Sequence, residues 1–241
     1  MAAEWSKLWS VRSTWWCLIG GVALMALTAP IIGSTMANNR KNGGGIAVSE
    51  VAVATVYVAQ FALIALSMLV ITSEYTSGSM RTTLQAVPRR GSLLLAKSLV
   101  AGTISLLGGT VLGLVGAGAS AATMDDKAVV DGAQIVGTSL RMGVYLALLS
   151  ALTIGVAVAV RSAAGTLTIV FVGLTVLPVI FQASDMGALV SIAERMPNSA
   201  GTVFMNAESS PYGAGAGLLF LVLWAVLVLL VGQQVLTKRD A

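Results

Sequence analysis

Six stretches of almost uninterrupted apolar residues divide the chain: 15–36, 51–72, 93–122, 140–160, 165–183 and 214–236. Each is close to the roughly 20 residues that cross ~30 Å of hydrocarbon at a rise of about 1.5 Å per residue. The pattern predicts an all-α membrane protein, a single domain over 1–241 with six transmembrane helices. The first stretch follows Lys7 and Arg12 in the manner of a secretory leader. Its apolar core is longer than a leader's, and five further spans follow, so it reads as an uncleaved anchor.

The segments between the spans carry patterns of their own. Trp5, Leu8, Trp9 and Arg12 recur at i, i+3, i+4 and i+7, while Ser6, Lys7 and Ser10 fall on other faces. This predicts an N-terminal amphipathic interfacial helix; the plainer alternative is a Trp/Lys flank anchoring the first span. Before the last span, Ala188, Leu189, Ile192, Ala193 and Met196 form a helical stripe that stops at Pro197, and a second short stripe occupies 200–205. Together they predict an extracellular helical hairpin dipping into the outer leaflet, with Glu194 and Arg195 at its wet edge, or else a helix lying flat on that surface. In the third span Gly109 and Gly113 make a GxxxG, which lets another helix approach closely and says nothing more.

Composition removes the soluble alternative. Hydrophobic residues are 56% of the chain and charged residues 10%, with a mean hydropathy of +0.89; soluble domains are roughly a quarter charged. Orientation follows from the basic residues. With the amino terminus inside, Lys7, Arg12, Arg81, Arg89, Arg90, Lys97, Arg161, Lys238 and Arg239 lie on one side, and Arg40, Lys41, Lys127, Arg141 and Arg195 on the other. Nine against five places both termini in the cytoplasm of a multi-pass protein, with Arg40–Lys41 as the local contradiction. The net charge of +4 is this ordinary bias and calls for no nucleic-acid partner.

Most site chemistry is excluded. There is no histidine and a single cysteine, Cys17, read as a buried inert thiol. That removes a structural zinc site and Ser-His or Cys-His catalysis. The central thirds of the spans hold no Asp, Glu, Lys or Arg; Lys97 and Arg161 fall at span ends, within reach of headgroups. A proton- or sodium-coupled carrier usually buries such a charge or breaks a helix near the midplane. Gln60, Ser67, Thr110 and Thr168 are mild by comparison. No GxxxxGK[ST] loop exists, so no cofactor is expected on this chain, and uphill work would need ATP hydrolysed by another polypeptide.

The connection between the second and third spans is the most informative. Glu74 sits near a span end, followed by small hydroxylated residues, Arg81 and a Pro88-Arg89-Arg90 corner. Taken alone, this is either a short surface helix or a basic loop that fixes topology. The block EYTSGSMRTTLQAVPRRGSLLLAK resembles the signature of type-2 ATP-binding-cassette (ABC) exporter permeases, particularly actinobacterial ones. So do EWSKLWSVRSTWW at the amino terminus, AVRSAAGTLTIVF between the fourth and fifth spans, ERMPN in the outer hairpin and the ending KRDA.

The resemblance implies a bacterial cytoplasmic-membrane permease subunit without a nucleotide site of its own. Glu74, Tyr75, Thr76, Ser77, Gly78, Ser79, Met80, Arg81, Thr82 and Thr83 would form a cytoplasmic coupling helix against a separate ATP-binding subunit, which holds ATP and Mg. Glu4, Trp5, Lys7, Leu8, Trp9 and Arg12 would form the connecting helix, in contact with membrane lipid. Two permease subunits, identical as a homodimer or else paralogous, would enclose the path together with two ATPase subunits. The other readings are a non-transporting scaffold or sensor of the same ancestry, and a secondary transporter.

Overall fold

A computed structural model describes residues 12–39, 45–78 and 90–239. The connecting-helix positions Glu4 to Trp9 and the coupling positions Ser79 to Thr83 lie outside the described residues. The described chain is helical almost throughout, and six of its helices are long and apolar enough to cross a membrane. They are α1 (Arg12–Asn39), α2 (Val48–Thr76), α3 (Arg90–Met124), α4 (Gly132–Val160), α5 (Ala163–Gln182) and, after two short helices, α8 (Ala214–Arg239). The short ones are α6 (Gly187–Glu194) and α7 (Pro197–Asn206).

Local chemistry sets the boundaries. The expected start of the fourth span at Leu140 falls inside α4, which begins at Gly132. The cause is Asp131, an N-cap whose carboxylate accepts from the backbone N–H groups of Ala133 and Gln134 at 3.0 and 3.4 Å. A capping acid followed three residues later by glutamine is a helix-start signal. At its other end α4 stops on Arg161, which takes the left-handed conformation at φ 60°. Ser162 then caps α5, accepting from the Gly165 N–H at 3.4 Å. Within α5 the stretch Val172–Val176 widens to a π-helix. Pro178 explains it: proline has no N–H and its ring collides with the carbonyl four residues back, at Leu174.

α2 and α4 form the centre of the bundle, with 56% and 61% of their most apolar windows buried, against 17–22% for α1, α5 and α8. Burying apolar surface gains little when the solvent is lipid, so close packing has to hold these helices together. Small residues provide it. A β-carbon at Gly109 would lie 2.9 Å from the Cα of Gly143 in α4, and one at Gly113 would lie 2.8 Å from the Cα of Ser139. On the opposite side of α4, a β-carbon at Gly155 would lie 2.6 Å from the Val228 carbonyl oxygen of α8, and one at Gly232 would lie 2.6 Å from the Gly155 carbonyl oxygen. Backbones meet here with no side chain between them.

The connections sort into two ends. β1 (Ile46–Ala47), just before α2, pairs in parallel with β2 (Ala128–Val129), just before α4, in the register Ile46 to Ala128. This brings the starts of α2 and α4 to one end. At the opposite end lie the close of α2, the start of α3, the α4–α5 turn and the close of α8, where Gly91 approaches the Gln233 amide. Among described residues that second end carries Arg12, Arg90, Lys97, Arg161, Lys238 and Arg239 with one acid, Glu74. The β-pair end carries Glu50, Asp125, Asp126, Asp131, Asp185, Glu194 and Glu208 with Lys127, Arg141 and Arg195.

Candidate functional site

At the cation-rich end, Glu74, Tyr75 and Thr76 form the last turn of α2, and Ser77 and Gly78 terminate it. Gly78 is left-handed at φ 72° and donates its N–H to the Tyr75 carbonyl at 3.3 Å, a common way to stop a helix. The small hydroxyls here satisfy α2 itself: Thr72 donates to Met68 O at 3.0 Å, Ser73 to Leu69 O at 2.6 Å and Thr76 to Thr72 O at 3.1 Å. A separate helix in this connection therefore has to begin beyond Gly78.

Glu74 points inward. Its Oε1 accepts from Lys97 Nζ of α3 at 2.8 Å, and both side chains are at most 2% exposed. This differs from the expectation that Lys97 reaches the headgroups. α3 begins at Arg90, so Lys97 stands two turns inside it, and its reach is spent on the carboxylate. Removing either partner of such a buried pair is costly. Next to it, the Arg161 guanidinium of the α4–α5 turn lies 5.3 Å from the centroid of the Tyr75 ring, a cation–π contact. Two connections of the bundle, α2–α3 and α4–α5, thus converge on Glu74, Tyr75, Lys97 and Arg161. Arg12 is the exposed first residue of α1, and Cys17 one turn on is half-buried rather than buried.

Toward the β-pair end a second constellation lies inside the bundle. The Tyr145 hydroxyl of α4 donates to Gln60 Oε1 of α2 at 2.7 Å and also lies 3.3 Å from Asn198 Oδ1 of α7. Gln60 in turn donates to the Tyr57 carbonyl at 3.2 Å, and the Tyr57 and Thr202 hydroxyls are hydrogen-bonded to each other. Gly201 makes room for this: a β-carbon there would lie 2.4 Å from the Tyr145 ring. Each polar group buried among apolar helices requires a partner, and these five side chains provide partners for one another. Their effect is to seat α7 against α2 and α4. Below them Ser67 donates to Ser150 Oγ at 2.7 Å, a further bond between α2 and α4.

The sequence singles out Gln60, and Asn198 only as the last residue of ERMPN, but not Tyr57, Tyr145 or Thr202. The short helix α6 is fixed differently, by Trp224 Nε1 donating to Arg195 O at 2.9 Å and by the Tyr212 hydroxyl donating to Glu194 O. Burial pushes the Tyr212 phenol above its ordinary range, the Arg195 charge pulls it down, and Glu194 adds a smaller upward push. The two constellations share α2, which has Glu74 near one end and Tyr57 and Gln60 near the other. No protein-family model matches the chain, and no curated protein matches it.

Proposed function

We propose that the chain is the membrane-spanning permease subunit of an ATP-driven exporter of the type-2 ABC class, working as a pair with two cytoplasmic ATP-binding subunits. The observation that carries this reading is the buried Glu74–Lys97 pair, which ties together the two ends of the connection bearing the family-like block. A push on residues 79–89 from an ATP-binding subunit would reach α2 and α3 through that pair. α2 would pass the movement on to the Tyr57, Gln60, Tyr145 and Asn198 cluster, and so to α7. In this reading the cation-rich end faces the cytoplasm, α6 and α7 form the outer hairpin, and segment 79–83 supplies the contact with the ATPase. The substrate path would run between two copies of the chain, lined by parts of α1, α2 and α5.

A secondary transporter is the competing reading, because a buried carboxylate–ammonium pair is also what a proton-coupled carrier titrates. The position of the pair weighs against it. Glu74 is in the last turn of α2, at the end of a span rather than its middle, and α3 is unbroken around Lys97.

The test is co-purification of the chain with the ATP-binding subunit encoded beside it, followed by reconstitution into vesicles. We expect a complex of two permease and two ATPase subunits, with no ATP hydrolysis by the permease alone. Transport that proceeds on a proton gradient without the ATPase would overturn the proposal in favour of the carrier. A chain that binds the ATPase but moves nothing would favour the scaffold.

A further inference from the structure

Between α6 and α8 the surface holds a groove of about 290 Å³ that the polar cluster does not touch. One wall is Ile192. The other is a helical stripe of α8 at i, i+3, i+4 and i+7: Phe220, Leu223, Trp224 and Leu227. Arg195 stands at its mouth, with its guanidinium carbon 5.9 Å from the centroid of the Phe220 ring. Phe220 is six residues into α8, so the cation lies about 9 Å along the helix from Ala214. Leu223 and Leu227 are 53% and 55% exposed on a helix of mean hydropathy 2.8, so the floor of the groove faces lipid.

Arginine carries five N–H donors. The bond from Arg195 Nη1 to the Ser191 carbonyl, at 2.5 Å, uses one of them. Among the described residues no carboxylate forms an ion pair with Arg195. The guanidinium is exposed beside this apolar floor, and phosphate suits its planar donor geometry. The indole N–H of Trp224 is already taken by the Arg195 carbonyl, which ties the ring to the end of α6.

We propose that this groove is a phospholipid site, holding the phosphate on Arg195 and one acyl chain along Leu223, Trp224 and Leu227. The site depends only on insertion in a bilayer, and it stands whether or not the chain transports anything.

Trp224 is a built-in reporter, because brominated acyl chains quench tryptophan on contact. The full-length chain with Trp5, Trp9, Trp15 and Trp16 changed to Phe is placed in phosphatidylcholine nanodiscs that contain a minor fraction of bromo-acyl phosphatidylglycerol. Quenching should exceed random lipid contact about fivefold, the ratio given by roughly 1 kcal/mol for one basic side chain at an anionic headgroup. Bromo-acyl diacylglycerol, with the same chains and no phosphate, should quench only at the random level. Arg195→Gln should reduce the phosphatidylglycerol signal to that level, and Arg195→Lys should keep most of it. Native mass spectrometry of the unsubstituted chain should likewise show a retained phosphatidylglycerol that Arg195→Gln loses. Equal quenching by the two brominated lipids, or a signal indifferent to Arg195→Gln, overturns the site without bearing on transport.

Discussion

The Tyr145 hydroxyl and the Gln60 side-chain carbonyl meet at 2.7 Å although 85 positions separate them in the chain. Both residues are completely buried, so the bond has no water to compete with it. Tyr145→Phe removes the donor, leaves the Gln60 oxygen stranded and frees Asn198 from α4. We expect a loss of about 1 kcal/mol in stability, in line with hydrogen bonds between membrane helices. A cysteine at Ser199 in a Cys17→Ser background should also be labelled faster in the variant. Unchanged labelling would mean that the hydroxyl does not hold α7.

The buried ion pair gives a sharper contrast. Lys97→Met alone removes the ammonium paired with Glu74 and should destabilise the chain by about 3–5 kcal/mol, visible as lost expression and a lower Tm in detergent. Glu74→Met with Lys97→Met, close in volume and free of charge, should recover most of that stability. On the exporter reading the double variant still binds the ATPase while ATP-driven transport falls. A double variant as unstable as the single one would show that packing at these positions, and not the charge, is what matters.

Close backbone contact makes a third expectation. Gly155→Ala places a methyl 2.6 Å from the Val228 carbonyl oxygen, so α8 must move away from α4. Overpacking of this kind costs about 1–3 kcal/mol. Gly137→Ala, in the same helix with nothing within 4 Å of the new methyl, should be neutral or slightly stabilising in the same melt. Equal effects at the two positions would refute the close contact.

Orientation can be read by cysteine labelling from either side of the membrane. Cysteines at Asp126 and Glu208 should react from outside, and those at Ala163 and Lys238 only once the inner face is opened. Labelling of Ala163 from outside would invert the molecule and remove the ATPase contact from the proposal.

How much of this was legible varies with the range of the interaction. The spans were legible because roughly 20 apolar residues in a row leave little choice of solvent. The start of α4 was also written locally, in Asp131 and Gln134, but Thr138, Ser139 and Arg141 interrupt the apolar run that marks a span. The two short helices before α8 follow their stripes, with Pro197 opening the second as expected of a first-turn proline.

The candidate site was less legible. Tyr57 and Tyr145 count as apolar in a hydropathy profile, so their hydroxyls pass unnoticed, and their partners lie 145 and 85 positions away. Lys97 looked like a residue at a span edge because its distance from the end of an apolar run is local information. Its rotation toward Glu74 depends on how α3 packs on α2. Gly109 and Gly113 advertised a close approach, but only the assembled bundle names Gly143 and Ser139 as what they meet.

The unequal charge of the two ends has an electrical consequence. One end carries six basic residues and one acid among the described positions, and the other carries three and seven. Held across a bilayer, the chain is a fixed dipole in the membrane field. Moving one elementary charge through a potential of about 100 mV is worth roughly 2.3 kcal/mol. The resting voltage of an energised membrane therefore favours the orientation with the cation-rich end on the negative side, and collapsing that voltage during insertion should raise the share of inverted chains.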